Sequence, residues 1–376
     1  MPDDFQNLMN SAARLTRQGD LKAATDAIQA ALANVGTAQA PARQNDRASN
    51  RPSNRPSNRD SQRLKLPAPD QSDSAQAGEP DTIKPPAEPL RKKVPGIEQF
   101  IAGSHGSSAM NRADYKLYIP PGAGGCALPL VVMLHGCTQN PDDFAAGTAM
   151  NALARAEGWY VLYPAQAAKA NPQRCWNWFK HNHQVRGQGE PALIAAMTQA
   201  VLRQYEIDSD RVYVAGLSAG GAMAAILGEC YPDIFAAVGV HSGLALGVAG
   251  DLASALAAMK GVEVKAKTSA SGVATIVFQG DADSTVHKSN ASQLIANCTG
   301  SAASVVVTTL KPLGARSSTR SVYSDASGRV IAEQWLIHGA AHAWSGGSVN
   351  GSYTDARGPD ASAEMLRFFR QHPRQR

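Results

Sequence analysis

A serine, an acid and a histidine that could share one hydrolytic reaction each stand just beyond an apolar, strand-like run in this sequence. The serine lies in Ala215-Gly216-Leu217-Ser218-Ala219-Gly220-Gly221. A serine hydroxyl is a weak nucleophile at neutral pH and needs exposure, an adjacent base and donors for the oxyanion it creates. Gly-x-Ser-x-Gly supplies the exposure through a sharp strand-to-helix turn, which has no room for large side chains at its two glycines. Ser218 is therefore read as a nucleophile. In this arrangement the acid and then the histidine follow in the chain. Gln279-Gly280-Asp281-Ala282-Asp283 closes a later apolar run and offers two carboxylates. Asp283 is the one expected beyond the strand end as the acid, and Asp281 is read as a cap of the turn. His338 and His342 both follow Trp335-Leu336-Ile337. His342, farther out among small residues, is expected to be the base, and His338 a structural residue at the strand end. The histidine would take the serine's proton and return it to the leaving alcohol, with Asp283 holding its tautomer. The oxyanion needs two backbone N–H groups, for which Ala219 and Cys137, in His135-Gly136-Cys137-Thr138-Gln139, are the candidates. A backbone donor does not need the Cys137 thiol, which is read as a small buried residue or half of a disulfide.

Such groups must be held by a sheet. The run Leu128–Leu134 is nearly all apolar, as in a strand covered on both faces. Further strands are expected at 115–119, 159–163, 211–215, 235–240, 273–278 and 332–337, and helices at 191–205, 219–230 and 361–370. Alternating strands and helices predict a mostly parallel, doubly wound sheet with helices on both faces, and the serine turn between strand and helix makes an α/β-hydrolase fold the expectation.

The catalytic domain is expected at 93–376. Residues 1–34 show two helically spaced apolar stripes broken at Gly19, which predicts an N-terminal helical hairpin too small to stand alone. Residues 35–92 are rich in Pro, Ser, Asn and Arg and repeat Arg-Pro-Ser-Asn, a composition expected to form a disordered linker. Seven Lys/Arg against two acids between Pro41 and Lys65 equal the chain's whole net charge of +5. The basic balance therefore describes a solvated tail rather than a nucleic-acid-binding domain. The chain begins without an apolar leader and contains no run of about 18 apolar residues. That predicts no membrane span and favours a cytoplasmic location, with an extracellular one left open. The five cysteines show no zinc spacing, so neither a metal nor a cofactor is expected.

Taken together, the motifs resemble the polyhydroxybutyrate-depolymerase family of esterases, which includes feruloyl and acetyl-xylan esterases. The resemblance spans about 97–370. It rests on Leu134–Gln139, Arg174-Cys175-Trp176-Asn177-Trp178-Phe179, Gly216–Gly221, Tyr231–Phe235, Gly280-x-x-Asp283-x-x-Val286 and His342-Ala343-Trp344-x-Gly346-Gly347. It implies Ser218, Asp283 and His342 as a triad, Cys137 and Ala219 as oxyanion donors, and a Cys137–Cys175 disulfide. The sequence departs from the family where Gln279-Gly280 replaces the usual His-Gly, and it shows neither the leader nor the polymer-binding domain of secreted members. Trp176 and Trp344 are expected to touch substrate, while Trp178 and Phe179 pack loops onto the sheet. The resulting expectation is a serine esterase for short hydroxyalkanoate esters or oligomers, with feruloyl or acetyl-xylan esters, or acyl transfer or peptide cleavage on the same scaffold, as alternatives. A non-enzymatic alternative is docking of the N-terminal region on polyester granules or a partner.

Overall fold

Six successive apolar positions of Leu128–Leu134 are fully buried, because the strand they form is covered on both faces. The computed structural model describes Ser11 and residues 96–106, 112–262, 271–300 and 304–375. The helical hairpin expected at 1–34, Ser11 apart, and the linker expected at 35–92 lie outside the described residues.

The strands of the main sheet, among the described residues, are β1 (Gln99–His105), β2 (Ala113–Ile119), β3 (Leu128–Leu134), β4 (Tyr160–Pro164) and β5 (Ile207–Leu217), followed by β6 (Ala237–His241), β7 (Ala274–Gly280), β8 (Ser304–Leu310), β9 (Ser318–Ser324) and β10 (Val330–Ile337). They form one sheet in the order β1-β2-β4-β3-β5-β6-β7-β10-β9-β8. From β4 through β3, β5, β6 and β7 to β10 every pairing is parallel. The flanks β1–β2–β4 and β10–β9–β8 are antiparallel. This is the α/β-hydrolase sheet. The expected strand at 235–240 begins later, at Ala237, because Phe235 N–H is still bonded to Tyr231 O (3.0 Å) in the turn that ends the preceding helix.

Alternate residues of the central strands feed two cores. Val132, Val214, Val238 and Val277 meet α3 (Gly189–Gln204) and α4 (Ala219–Cys230) on one face. Val131, Tyr213, Ile276 and Phe278 meet α1 (Pro141–Thr148), α2 (Met150–Glu157) and α7 (Ala361–Arg370) on the other. Full burial of such a side chain is worth about 1.5–3 kcal/mol. Tyr213 stacks on Phe369 at 4.8 Å, so the final helix is fastened under the strand that leads to Ser218. Among the described residues two further α-helices are α5 (Leu252–Met259) and α6 (Ser289–Thr299).

On β10 the buried Glu333 accepts from Arg320 of β9 (2.9 Å), Arg367 of α7 (2.5 Å) and Trp335 Nε1 (2.7 Å). A buried carboxylate is tolerable only when its oxygens are filled in this way. Strand β8 is different. All seven of its residues are exposed, Val305, Val306 and Val307 among them, and among the described residues it pairs only with β9. No helix of the described residues is long and apolar enough to cross a membrane.

Candidate active site

Ser218 stands between the end of β5 and the start of α4 with φ 58° and ψ −119°. This conformation costs a non-glycine residue about 1–3 kcal/mol and persists only where its surroundings enforce it. Ser218 N–H donates to His241 O of β6 (2.8 Å), and Ser218 O accepts the first helical bond, from Ala222 N (2.9 Å). The flanking glycines are steric requirements. A Cβ on Gly216 would lie 2.4 Å from the Gly220 backbone, and one on Gly220 would lie 2.0 Å from Leu134 O. The hydroxyl makes no capping bond to its own helix.

Asp283 and His342 come from the loops beyond β7 and β10, adjacent parallel strands in which Gly280 is level with Ile337. Asp283 Oδ2 lies 2.8 Å from His342 Nδ1. The side chains are buried, 0% and 4% exposed respectively. Asp283 Oδ1 accepts from Thr285 N (2.9 Å) and Val286 N (2.8 Å), and Oδ2 also accepts from Gln279 Nε2 (3.1 Å). Burial alone would raise this carboxyl's pKa, but the imidazole beside it and the hydrogen bonds hold it below the ordinary carboxylate value. Gln279 thus gives the carboxylate a side-chain N–H in addition to the two peptide N–H groups.

The loop after β3 is held from several sides. Gln139 Oε1 accepts from Gly136 N (2.9 Å), while Gln139 Nε2 donates to Ser352 O (3.1 Å). Thr138 N–H donates to Gln173 O (2.7 Å). A disulfide joins Cys137 to Cys175 across 38 residues; closing such a loop is worth about 4 kcal/mol in the chain-entropy account. Glu190, to which the sequence reading gave no part, organises the opposite segment. Its buried carboxylate accepts from Asn177 N (2.7 Å), Asn177 Nδ2 (2.6 Å) and Gln166 Nε2 (2.6 Å) in the first turn of α3. Burial pushes its pKa up, but the imidazole of His183 beside it and the hydrogen bonds from Gln166 and Asn177 outweigh that and leave it lowered. An acid opening a helix just past a Cys-Trp-Asn run was the available sequence signal.

Ser218, Ala219, Cys137 and His342 line one cavity of about 710 Å³, its open mouth included. Most of the remaining wall is apolar, with Leu252, Leu256 and Met259 of α5 beside Trp178 and Phe179. The tryptophan assignment needs correcting. Trp344 is 1% exposed and stacks on His241 at 5.2 Å, its Nε1 bonded to Ser362 Oγ (3.1 Å). Trp176 is 3% exposed and donates to His135 O (3.1 Å). Both satisfy their indole N–H groups inside the protein, whereas Trp178 and Phe179, expected to pack loops, face the cavity. Asp281 does not cap its own turn either, since it bonds His338 Nδ1 (2.9 Å) and Gly339 N (2.7 Å).

Two buried histidines frame the site without lining it. His135 Nε2 accepts from Gln166 N (3.2 Å), and His241 Nε2 accepts from Ser345 N (3.0 Å). Burial lowers their pKa values to about 4 and about 3. Protonation would sever both accepted bonds, so each stabilises the fold as a neutral ring. Because their folded pKa values lie below the ordinary 6.5, that stability is complete above pH 6.5 and is lost as pH falls toward 4. Unfolding in urea near pH 5 is expected to lose about 2 kcal/mol per pH unit. A slope of less than one proton would show that these rings are not buried neutral.

A family model described as esterase PHB depolymerase matches residues 113–316, more than half of the chain. This span includes Ser218 and Asp283 and ends before His342. Poly(3-hydroxyalkanoate) depolymerase C of Paucimonas lemoignei is 40% identical over 131 residues, 35% of this chain and 31% of that protein. Feruloyl esterase B of Thermothelomyces thermophilus is 36% identical over 128 residues, 34% of this chain and 43% of that protein. Poly(3-hydroxybutyrate) depolymerase of Ralstonia pickettii is 29% identical over 251 residues, 60% of this chain and 50% of that protein. The chain thus spans half or less of the length of these relatives. Among solved structures, an acetyl xylan esterase from Aspergillus awamori superposes with a TM-score of 0.54 at 20% identity, over 64% of this chain and 94% of that one, a likeness of fold.

Proposed function

Since the chain belongs to the PHB-depolymerase family of esterases, within the α/β-hydrolase superfamily, we propose that it hydrolyses carboxylic esters through an acyl-enzyme on Ser218. The observation that carries this reading is the opening of Ser218, His342, Cys137 and Ala219 onto one apolar cavity, with Asp283 bonded to the far nitrogen of His342. Ser218 Oγ attacks the ester carbonyl as His342 Nε2 takes its proton. Backbone N–H groups of Ala219 and Cys137 stabilise the oxyanion, a contribution of about 10²–10³ in rate for each donor. Ala219 is the first residue of α4, so its N–H has no intrahelical acceptor and the helix dipole favours the negative charge. The imidazolium, stabilised by Asp283, then protonates the departing alcohol. Water, deprotonated by His342, releases the acid and restores the serine.

The substrate in this reading is a short hydroxyalkanoate ester or oligomer, with its acyl part against Leu252, Leu256 and Met259. These residues sit at i, i+4 and i+7 of α5 and form one helical stripe. Each buried methylene is worth about 0.8 kcal/mol, so the length of the cavity grades acyl chains. Leu256→Trp is expected to lower kcat/KM for p-nitrophenyl hexanoate about 10-fold while leaving the acetate ester within about twofold. An unchanged chain-length profile would remove α5 from the acyl site. Comparison of hydroxybutyrate oligomers, feruloyl sugars and acetylated xylan tests the substrate class. Preference for either carbohydrate ester would reassign the acyl group and leave the serine chemistry standing. The catalytic unit in this reading is 93–376, with 1–34 and 35–92 as an N-terminal appendage that docks on a polyester surface or a partner.

A further inference from the structure

The residues set aside as alternatives to the acid and the base, Asp281 and His338, are bonded to each other. His338 Nδ1 lies 2.9 Å from Asp281 Oδ2, and His338 Nε2 lies 3.0 Å from Thr319 Oγ1. This repeats the hydroxyl–imidazole–carboxylate order of a triad, but it is not a second hydrolytic centre. Thr319 is inside β9, level with Thr309 on one side and Leu336 on the other. It has neither the strand-to-helix turn nor the helix N-terminus that serve Ser218. The His338 and Asp281 side chains are also 36% and 27% exposed, where water weakens the field an imidazolium would feel.

What the pair does touch is the base of the two loops that carry Asp283 and His342. Asp281 Oδ1 accepts from Gly339 N (2.7 Å). Asp281 N–H donates to Ile337 O (3.1 Å), and Ala282 N–H donates to Ala340 O (3.1 Å). The loops are in close contact here, since a Cβ on Gly280 would lie 2.2 Å from Ala340 O. His338 is anchored to the next strand connection through its own N–H, donated to Ser317 O (2.9 Å). Gly339 O accepts from Arg316 Nη1 (2.6 Å), and Arg316 is paired with Asp355. Asp355 lies in β12 (Thr354–Asp355), which pairs with β11 (Trp344–Ser345), just past His342. The segment from His338 to Ser345 is therefore held at both ends, and His342 rides between them.

We propose that Asp281 and His338 are positioning residues, a second Asp–His pair that locks the β7 and β10 loops together and thereby fixes His342 between Asp283 and Ser218. The consequence for turnover rests on the serine-hydrolase reading; the consequence for loop order does not. Misplacing a catalytic group by about 1 Å can cost about 10²-fold in rate, so a partial loosening calls for a smaller loss.

The test has two independent readouts. In the full chain, Asp281→Ala and His338→Gln should each lower kcat for p-nitrophenyl butyrate about 10-fold at unchanged KM. Together they should lower it no further than Asp281→Ala alone, because that variant already breaks the Asp281–His338 contact. Asp281→Asn, which keeps an acceptor for Gly339 N–H, should fall between the wild type and Asp281→Ala. Separately, the low-field proton resonance of His342 Nδ1–H, assigned by its loss in Asp283→Asn, should broaden through faster exchange in Asp281→Ala. If that resonance responds while the wild type hydrolyses no ester, the lock stands and the serine reading falls. An unchanged resonance with unchanged kcat, or losses that multiply in the double variant, would overturn the lock. So would a kcat loss that disappears when rates are normalised to folded protein.

Discussion

Replacing Ser218 by alanine is expected to lower ester turnover by about 10⁴-fold or more while leaving the fold in place. The size of the effect follows from what is lost. Without Oγ no acyl-enzyme can form, and the oxyanion donors and the cavity can assist only direct attack by water. The fold should survive because the strained backbone at residue 218 is imposed by Gly216, Gly220 and the bond from Ser218 N–H to His241 O, none of which involves the hydroxyl. Hydrolysis of p-nitrophenyl butyrate, with circular dichroism as the check on folding, measures both parts. A fluorophosphonate should label the wild type once per chain and the variant not at all. Normal turnover in the variant would move the nucleophile elsewhere.

The second large effect is expected at Asp283, where the amide of Asp283→Asn should reduce kcat about 10⁴-fold. The two peptide N–H groups of Thr285 and Val286 both point at Oδ1, so the amide oxygen must occupy that place. Its NH₂ would then face His342 Nδ1 and Gln279 Nε2, which both donate to Oδ2 in the wild type. The imidazole can relieve that clash by moving its proton to Nε2, the nitrogen that must accept from Ser218. Catalysis is thus lost through the tautomer, with the residue's shape almost unchanged. The pH dependence of kcat in the residual activity gives an additional check. If Asp283→Asn turned over within tenfold of the wild type, the acid would have to be reassigned.

Much of this architecture was legible because single physical requirements dominate certain segments. The unbroken apolar run of β3 admits little besides a strand covered on both faces. The glycines at 216 and 220 are demanded by backbone contacts at 2.4 and 2.0 Å, so the turn shows through in residue type alone. The loops bearing Asp283 and His342 could be found because both follow buried strands of the same sheet. The flank β8–β9 was not foreseen, since β8 is exposed at every position and has no apolar–polar alternation to read. Trp176 and Trp344 were misjudged because nearness in sequence to reactive residues says nothing about side-chain direction. The deciding groups, His135 O for one indole and Ser362 Oγ for the other, lie 41 and 18 residues away in the chain. The apolar stripe of α5 was missed for the same reason, as its partners in the cavity wall come from distant loops.

Strand β8 has a consequence that concerns the protein in bulk. Its uncharged run Ser304-Val305-Val306-Val307-Thr308-Thr309-Leu310 carries no proline and borders the sheet as a row of backbone donors and acceptors. Edges of this kind pair readily with other chains, and charges, prolines or bulges are the usual protection. Among the described residues this edge has no second strand beside it. Solubility at high concentration and resistance to clumping on mild heating are therefore expected to respond to a charge placed in β8. That edge is built from residues separate from those that line the cavity around Ser218.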